Sequence, residues 1–496
     1  MSTELDLAAR VIELTRQLAG AGAEAEVVAA HSAEALTRFA NSAIHQNVAD
    51  ATTTVRLRLH LDGRTAGGST TVTSTEGLRS LVERTLAAAR LSPPDATWPG
   101  LTAPTELRSA PAYDEATAAA GPQDRAALVR AFVDAAGGLE TAGFCRTAYA
   151  SGGFANTLGQ AVHGRSADAG MDGIARLDGA DGVARRASGR LAELDGAELG
   201  ARAAAKARAA ANPMELPPGR YELVLEPAAV ADLLENLAGF GFNGKAFAQR
   251  QSFAELDVAQ FDERITLTDE PLGATLPFDA EGTPRGTLTL VEAGVTRAVS
   301  HDRTSAAEAG AASTGHASPA SRSWGPVAAN LRLAPGSTSG AGAASNPDTS
   351  PAGAGRAGTG PAGTDTAGTG PAGTGTGGTG SVGAAESVVP SARALVANVR
   401  RGLLVTDLWY TRVLDQKSLV VTGLTRNGVW LIEDGEVTTA VGNMRFTQSY
   451  PQALGPGAVL GVGAESVALP DRWSGVRYTA PALHLASWNI TGNASG

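Results

Sequence analysis

"TTTVRLRLHLDGRTAGGSTT", residues 52–71, places Val55, Leu57, Leu59 and Leu61 at every second position and then meets Asp62-Gly63. Alternation of this period marks a strand with one buried face, and an Asp-Gly pair accepts the left-handed backbone of a tight hairpin turn. The fold therefore starts from antiparallel strands that are close in sequence. Upstream, "EAEVVAA" (24–30) and "TRFANSAIHQNVA" (37–49) also read as strands. Helices bracket them. Leu7, Val11, Leu14 and Leu18 recur at helical spacing before Gly20 and Gly22, and "TEGLRSLVERTLAAAR" (75–90) supplies a second amphipathic helix. Residues 1–91 form a first α+β unit, and the Pro-rich stretch 92–112 reads as a linker.

The pattern repeats. A helix in "DRAALVRAFVDAAGGLE" (124–140) precedes strands around Cys145, "ANTLGQAVHG" (155–164) and onward to about Gly189, and an Ala-rich helix follows at 196–211. This second α+β unit spans 113–211. "NPMELPPG" (212–219) closes it, because proline removes amide donors and restricts the residue before it. A third region, 220–336 and 387–490, opens with the strand "RYELVLE" and reads as β-rich up to "ANLRLAPG" (329–336). After residue 386 it resumes with "ARALVANVRRGLLVTDLWYTR" (392–412). In "SLVVTGLTRNGVWLIEDGEVTTAVGNMRF" (418–446), turns are expected at Arg426-Asn427-Gly428 and at Glu433-Asp434-Gly435. Between the two halves, 337–386 is almost entirely Gly, Ala, Thr, Ser and Pro. With so few apolar side chains to offset ordering entropy, a disordered insert is expected there. The fold class is α+β: two helix and antiparallel-sheet units, then a β-rich C-terminal domain interrupted by this insert.

Composition narrows the function. A net charge of −10 with scattered arginines speaks against nucleic acid, which requires clustered cations. The single cysteine, Cys145, allows no internal disulfide, no apolar run approaches a membrane span, and the N-terminus lacks a signal peptide, so a cytoplasmic protein is expected. "GTGPAG" and "GTGGTG" in the insert match a dinucleotide-binding fingerprint but lack the strand before and the helix after that give it meaning. No G-x-S-x-G elbow occurs. No two of His31, His45, His60, His163, His301, His316 and His484 lie within one helical turn of each other. Cys145 reads as a small core residue, and the paired carboxylates in "TDEP", "FDAEGT" and "IEDGE" read as turn chemistry.

One stretch has the shape of a site without its chemistry. "EPAAVADLLENLAGFGFNGKAF" (226–247) is a helix running into a glycine-aromatic turn. Its weak catalytic candidate is Glu235, which as a general base would need a metal-bound water or an acidic proton within reach.

"RFANSAIHQNV" (38–48), "PFDAEGTPRGTLTLVEAGV" (277–295), "TGLTRNGVWLIEDGEV" (422–437) and "GAVLGVGAESVALP" (457–470) together resemble, in this order, the TldD/PmbA (TldE) family over nearly the whole chain. The resemblance implies a zinc metallopeptidase fold of two kinds. TldD-like chains carry His-Glu-x-x-x-His on a helix and a cysteine near the C-terminus. PmbA/TldE-like chains lack these ligands and pair with a TldD-like chain. Here the motif falls on Leu234 to Gly239, with Glu235 at the Glu position and Leu234 and Gly239 at the histidine positions. The cysteine position falls at Gly461 to Gly463. The resemblance thus implies a PmbA/TldE-like subunit without its own cofactor or metal, and zinc in a TldD-like partner. Substrates would be small or unfolded peptides, bound by strand addition to a sheet edge, with Phe240, Phe242 and Asn243 forming a substrate or interface wall. A homodimer is a further assembly it allows, and neither nucleic acid nor membrane is an expected partner. Two rivals stand beside this reading: an independent hydrolase built from His301, His484, Asp279 and Glu281, and a non-enzymatic regulator of the gyrase-modulator type.

Overall fold

A computed structural model describes residues 3–107, 113–270, 275–336, 387–470 and 476–494. The insert at 337–386 lies outside the described residues. The N-terminal strands are β1 (Glu24–Ala40), β2 (Ala43–Leu61), β3 (Arg64–Thr70), β4 (Glu140–Asn156), β5 (Ala161–Leu177) and β6 (Ala180–Ser188). Tight turns with left-handed residues join neighbours, at Asn41-Ser42 (φ 49° and 58°), at Asp62-Gly63 (49° and 72°) and at Asp178-Gly179 (50° and 83°). "ANTLGQAVHG", which reads as one strand, instead crosses the turn between β4 and β5.

The two N-terminal units share one sheet. β1 pairs with β4 in antiparallel register from Glu26↔Asn156 to Phe39↔Gly143, giving six strands in the order β3-β2-β1-β4-β5-β6. Apart, each unit would expose a long unpaired edge; together those edges satisfy each other.

Strand alternation then sorts the sheet's faces. Val27, Val55, Leu57 and Leu59 face helices α1 (Thr3–Ala19) and α2 (Thr75–Leu91). After the short helix α3 (Glu115–Ala118), helices α4 (Pro122–Ala135) and α5 (Gly196–Ala209) cover the same face further along, over Phe39, Cys145, Met171 and Ala184. Cys145 is wholly buried there, and burial pushes its thiol up to about 12. Because the thiolate is the reactive form, a thiol-specific reagent is expected to leave the native chain unmodified and to label one thiol per chain in denaturant. A stopped-flow trace in native buffer checks this.

Part of the opposite face, which the alternation alone assigns to water, is covered by the C-terminal lobe: Val28, Phe154 and Val162 pack with Phe278, while Ser32, Glu34 and Arg38 stay exposed. That lobe begins with β7 (Gly219–Leu225), α6 (Pro227–Asn236), α7 (Gly244–Ala248), β8 (Leu267–Asp269), β9 (Leu288–Glu292), β10 (Val295–Thr296), α8 (Arg303–Ala309), α9 (Ser321–Trp324) and β11 (Leu331–Leu333). It resumes with the helix Pro390–Val396, β12 (Arg401–Asp415), β13 (Val420–Glu433), β14 (Glu436–Ala440), β15 (Met444–Ser449), β16 (Val459–Val462), β17 (Val467–Pro470), β18 (Arg477–Ala480) and β19 (Leu483–Asn493). Its two sheets run β10-β9-β8-β11-β18-β17 and β12-β7-β19-β15-β13-β14, with β16 also on β19.

Two expectations need correction. Residues 226–336 carry only short strands and short helices, because side chains hold the backbone in loops. Asp279, for example, accepts from the amides of Glu281, Thr283 and Ala317, each at 2.9 Å. Asn427-Gly428 is not a hairpin turn either. The pair lies inside β13, at φ 60° and 126°, where the ladder with β12 slips between Val405 and Asp407. A β-bulge needs the same left-handed residues as a turn, and buried Asn427 anchors it by donating to Asp407 at 3.0 Å. Asp434-Gly435 does turn, between β13 and β14.

The Pro-rich stretch after α2 is a strap bonded to both lobes. Asp95 N donates to Gly63 O at 2.7 Å, Thr102 Oγ1 to Glu281 O at 2.7 Å, and Asn156 Nδ2 to Thr102 O at 2.7 Å. Among the described residues no helix is long and apolar enough to cross a membrane.

Candidate functional site

β7 delivers the chain to Glu226, and Pro227 at the first helical position starts α6 with the φ that proline favours. Most of α6 is buried: Ala229, Val230, Leu233 and Leu234 belong to the main core of the lobe. Its polar side chains point at one cluster. Asp232 accepts from Thr411 Oγ1 at 2.9 Å and from Tyr450 OH at 3.2 Å. Burial, then the Asp232 carboxylate, with Glu235 adding to it, holds the Tyr450 hydroxyl well above its ordinary range. Tyr450 is therefore a fixed donor. Glu235 itself is half-buried and takes part in this electrostatic group.

The glycine-aromatic turn is a π-helical turn, Leu237–Gly241, closed by Phe242 N donating to Leu237 O at 2.7 Å. Such turns are found disproportionately at functional sites. Phe242 is wholly buried, with its ring 5.7 Å from that of Phe253 and 6.0 Å from that of Phe261. Asn243, 2 % exposed, caps α7 by accepting from Lys245 and Ala246, and its Nδ2 donates to Gly239 O and Trp324 O. Neither side chain forms a surface wall: the aromatic repeat fills a core and the Asn spends its amide on backbone. Only Phe240 of the three keeps partial exposure.

A zinc ion of the kind the resemblance implies would take nitrogen, sulfur or oxygen donors converging as a tetrahedron. Leu234 is a buried apolar residue, Gly239 offers no side chain, and a side chain at Gly461 would run into Leu395 at 2.8 Å. These positions do not fit a metal. The distributed set is not assembled either. His484 pairs with Glu222 at 2.7 Å in the sheet of β7 and β19, whereas His301 bonds Ser305 Oγ at 3.1 Å and burial lowers its pKa. Asp279 holds three amides and Glu281 two arginines. Among the described residues no group of three His, Cys, Asp or Glu side chains could hold a metal ion.

Sequence reading missed the charged group at the junction of the lobes. Glu26 of β1 and Arg58 of β2 meet at 2.5 Å, and Arg58 also reaches Glu281 at 2.9 Å. Arg303 of α8 closes the square, 2.5 Å from Glu26 and 3.1 Å from Glu281. Trp98 of the strap stacks on His60 at 4.8 Å and lies under Arg58 at 4.9 Å. Burial pushes the Glu26 carboxyl up to about 7 against the pull of the two arginines. Contacts between residues this far apart leave no local signal. Beside this group opens a cleft of about 630 Å³ between β3 and the short helices α7, α8 and α9.

The family profile described as "PmbA/TldA metallopeptidase C-terminal domain" matches residues 218–349 and 360–492, and "PmbA/TldA metallopeptidase domain 1" matches 25–89. No curated protein matches. Among solved structures the chain is similar to TldE from Thermococcus kodakarensis, with a TM-score of 0.78 and 18% identity over 98% of this chain and 99% of that one. It is also similar to a candidate modulator of a DNA gyrase from Thermotoga maritima (TM-score 0.76, 17% identity, 98% and 99% covered). A third, from Bacteroides thetaiotaomicron and described in the same terms, gives 0.74, 17% and 98% of each chain. At such identities the likeness is one of fold.

Proposed function

From the premise that the chain belongs to the PmbA/TldD metallopeptidase family and is PmbA/TldE-like, we propose that it is the non-hydrolytic subunit of a TldD/TldE-type peptidase complex. The zinc and the scission would reside in a TldD-like partner carrying His-Glu-x-x-x-His. This chain would help to bind small or unfolded peptides. The observation that carries the reading is that Leu234 and Gly239, at the two positions that the resemblance gives to histidine, offer no nitrogen donor. Two relatives described as candidate gyrase modulators offer the rival reading of a regulatory binder.

The test is peptide hydrolysis, with metal content by mass spectrometry, for this chain, a TldD-like chain and their mixture. The chain alone is expected to hold far less than one zinc and to cleave nothing, while the mixture forms a stable complex that cleaves an unstructured peptide. Stoichiometric zinc with cleavage by the isolated chain would overturn the proposal, as would retention of gyrase in preference to a TldD-like chain.

A further inference from the structure

We propose that the middle of the strap, residues 96–101, is a gate on the cleft between the lobes, bolted by Trp98 and able to swing out while the rest of the chain stays folded. Such a gate sets the size of the solute that can enter, whatever chemistry the cleft serves.

Both ends of the gate are fixed. Before it, Arg64 bridges Pro94 in antiparallel fashion, its guanidinium donates to Ser92 O, and Asp95 N donates to Gly63 O at 2.7 Å. After it, Thr102 O accepts from Asn156 Nδ2 at 2.7 Å, and Thr105 shares two bonds with the Gln160 side chain, at 2.8 and 3.1 Å. The stretch between has little to hold it. Among the described residues, 96–101 take part in no backbone–backbone hydrogen bond, and no residue from Ser92 to Leu107 is buried. Segments with few buried contacts and few backbone bonds open at a fraction of the free energy of global unfolding. Gly100 supplies a pivot: it holds φ 79°, and a side chain there would meet nothing within 4 Å.

One side chain keeps the gate shut. Trp98 stacks on His60 at 4.8 Å with the rings 5° from parallel, and its Nε1 donates to Glu24 Oε2 at 2.7 Å. The guanidiniums of Arg58 and Arg303 lie 4.9 and 5.7 Å from its ring centroid. His60, Glu24 and Arg58 belong to the N-terminal sheet, whereas Arg303 belongs to the other lobe and also donates to Gly100 O. The bolt therefore sits on the seam. Thr97, Trp98 and Pro99 line the cleft together with Lys245, Gln249 and Arg322 of the C-terminal lobe, so moving them outward widens its mouth. Behind them lies Thr65 of β3, which lines the cleft and is 8% exposed. Its Oγ1 bonds Nδ1 of His60, the ring that Trp98 covers, at 2.8 Å.

The experiment uses the full chain carrying Thr65→Cys, with buried Cys145 as an internal reference. In native buffer an aromatic disulfide reagent is expected to label the new thiol at least about tenfold faster than Cys145, at a rate nearly flat in low urea, because opening the gate exposes little surface. Trp98→Ala removes the stack and the bond to Glu24, and is expected to speed this labelling about tenfold or more while Cys145 stays within about twofold. Trp98→Phe, which keeps a ring on His60, should fall between. Glu24→Ala leaves the tryptophan in place and removes only its acceptor, so it tests the same bolt if Trp98→Ala does not fold; an increase of about threefold or more is expected. Labelling of the new thiol only in step with Cys145, a steep rise with urea, or a rate that neither Trp98→Ala nor Glu24→Ala changes would each overturn the proposal.

Discussion

Lys206→Ala is expected to remove about 3–5 kcal/mol of stability, the cost of leaving one member of a buried ion pair alone. Lys206 lies on α5 over the N-terminal sheet, and its Nζ bonds Glu226 Oε2; the two side chains are 3% and 1% exposed. Glu226 in turn accepts from Val389 N at 3.0 Å and stands at the N-cap of α6. One carboxylate thus ties together a helix of the first lobe, the segment that follows the insert, and the start of the helix leading to the π turn. Burial lowers the Lys206 pKa against the pull of Glu226, so desolvation absorbs much of the Coulombic gain. For that reason the double variant Lys206→Met with Glu226→Gln, which strands no charge and keeps an acceptor for Val389, is expected to recover most of the loss. Urea unfolding of the single and double variants decides the matter. A single variant within about 1 kcal/mol of the parent would show the pair to be weakly coupled.

Physical locality separates what the sequence made legible from what it hid. Asp62-Gly63 and Asp434-Gly435 turn where expected because a left-handed pair between alternating strands has one easy use. Asn427-Gly428 meets the same backbone demand, but inside a bulge, and only the slip of β12 against β13 distinguishes the two. The helices of the N-terminal units were legible from apolar spacing. The alternation Val55, Leu57, Leu59 correctly gave a face to α2. It gave no hint that Arg58 on the other face meets Glu281 in place of water. In the candidate site, absent histidines are a fact of composition and could be read directly. The fate of Phe242 could not: an aromatic after glycine looks like a surface wall until Phe253 and Phe261 are seen around it. Lys206 and Glu226 likewise pair through tertiary packing that no periodicity encodes.

Arg303→Ala should cost about 3–5 kcal/mol at pH 8, and less in mild acid. The side chain pairs with Glu26 and Glu281, donates to Gly100 O and lies 5.7 Å from the Trp98 ring centroid. Without it, two buried carboxylates share Arg58. Burial already pushes Glu26 from 4.5 up to about 7 while both arginines pull it down. In Glu281 burial also acts upward, but Arg303 and Arg58 outweigh it and leave the carboxyl below its ordinary value. Deleting Arg303 moves both folded-state values upward. A carboxyl whose folded pKa is raised binds extra protons in the folded state between the unfolded and folded values. That stabilisation is complete below the unfolded value and is lost as pH rises through the folded one. The variant therefore keeps losing stability above pH 7, where the parent's contribution from Glu26 protonation has largely run out. Its deficit is expected to be smaller at pH 5 than at pH 8 by about 1–3 kcal/mol, since each tenfold change in a carboxyl's proton affinity is worth about 1.4 kcal/mol. Parallel denaturation curves at the two pH values measure the difference, and a deficit independent of pH would mean that Arg303 acts by packing alone. The three charges that remain in the variant, Glu26, Arg58 and Glu281, line the cleft beside β3, so a deficit that grows with pH should be accompanied by a junction that opens more readily in alkali.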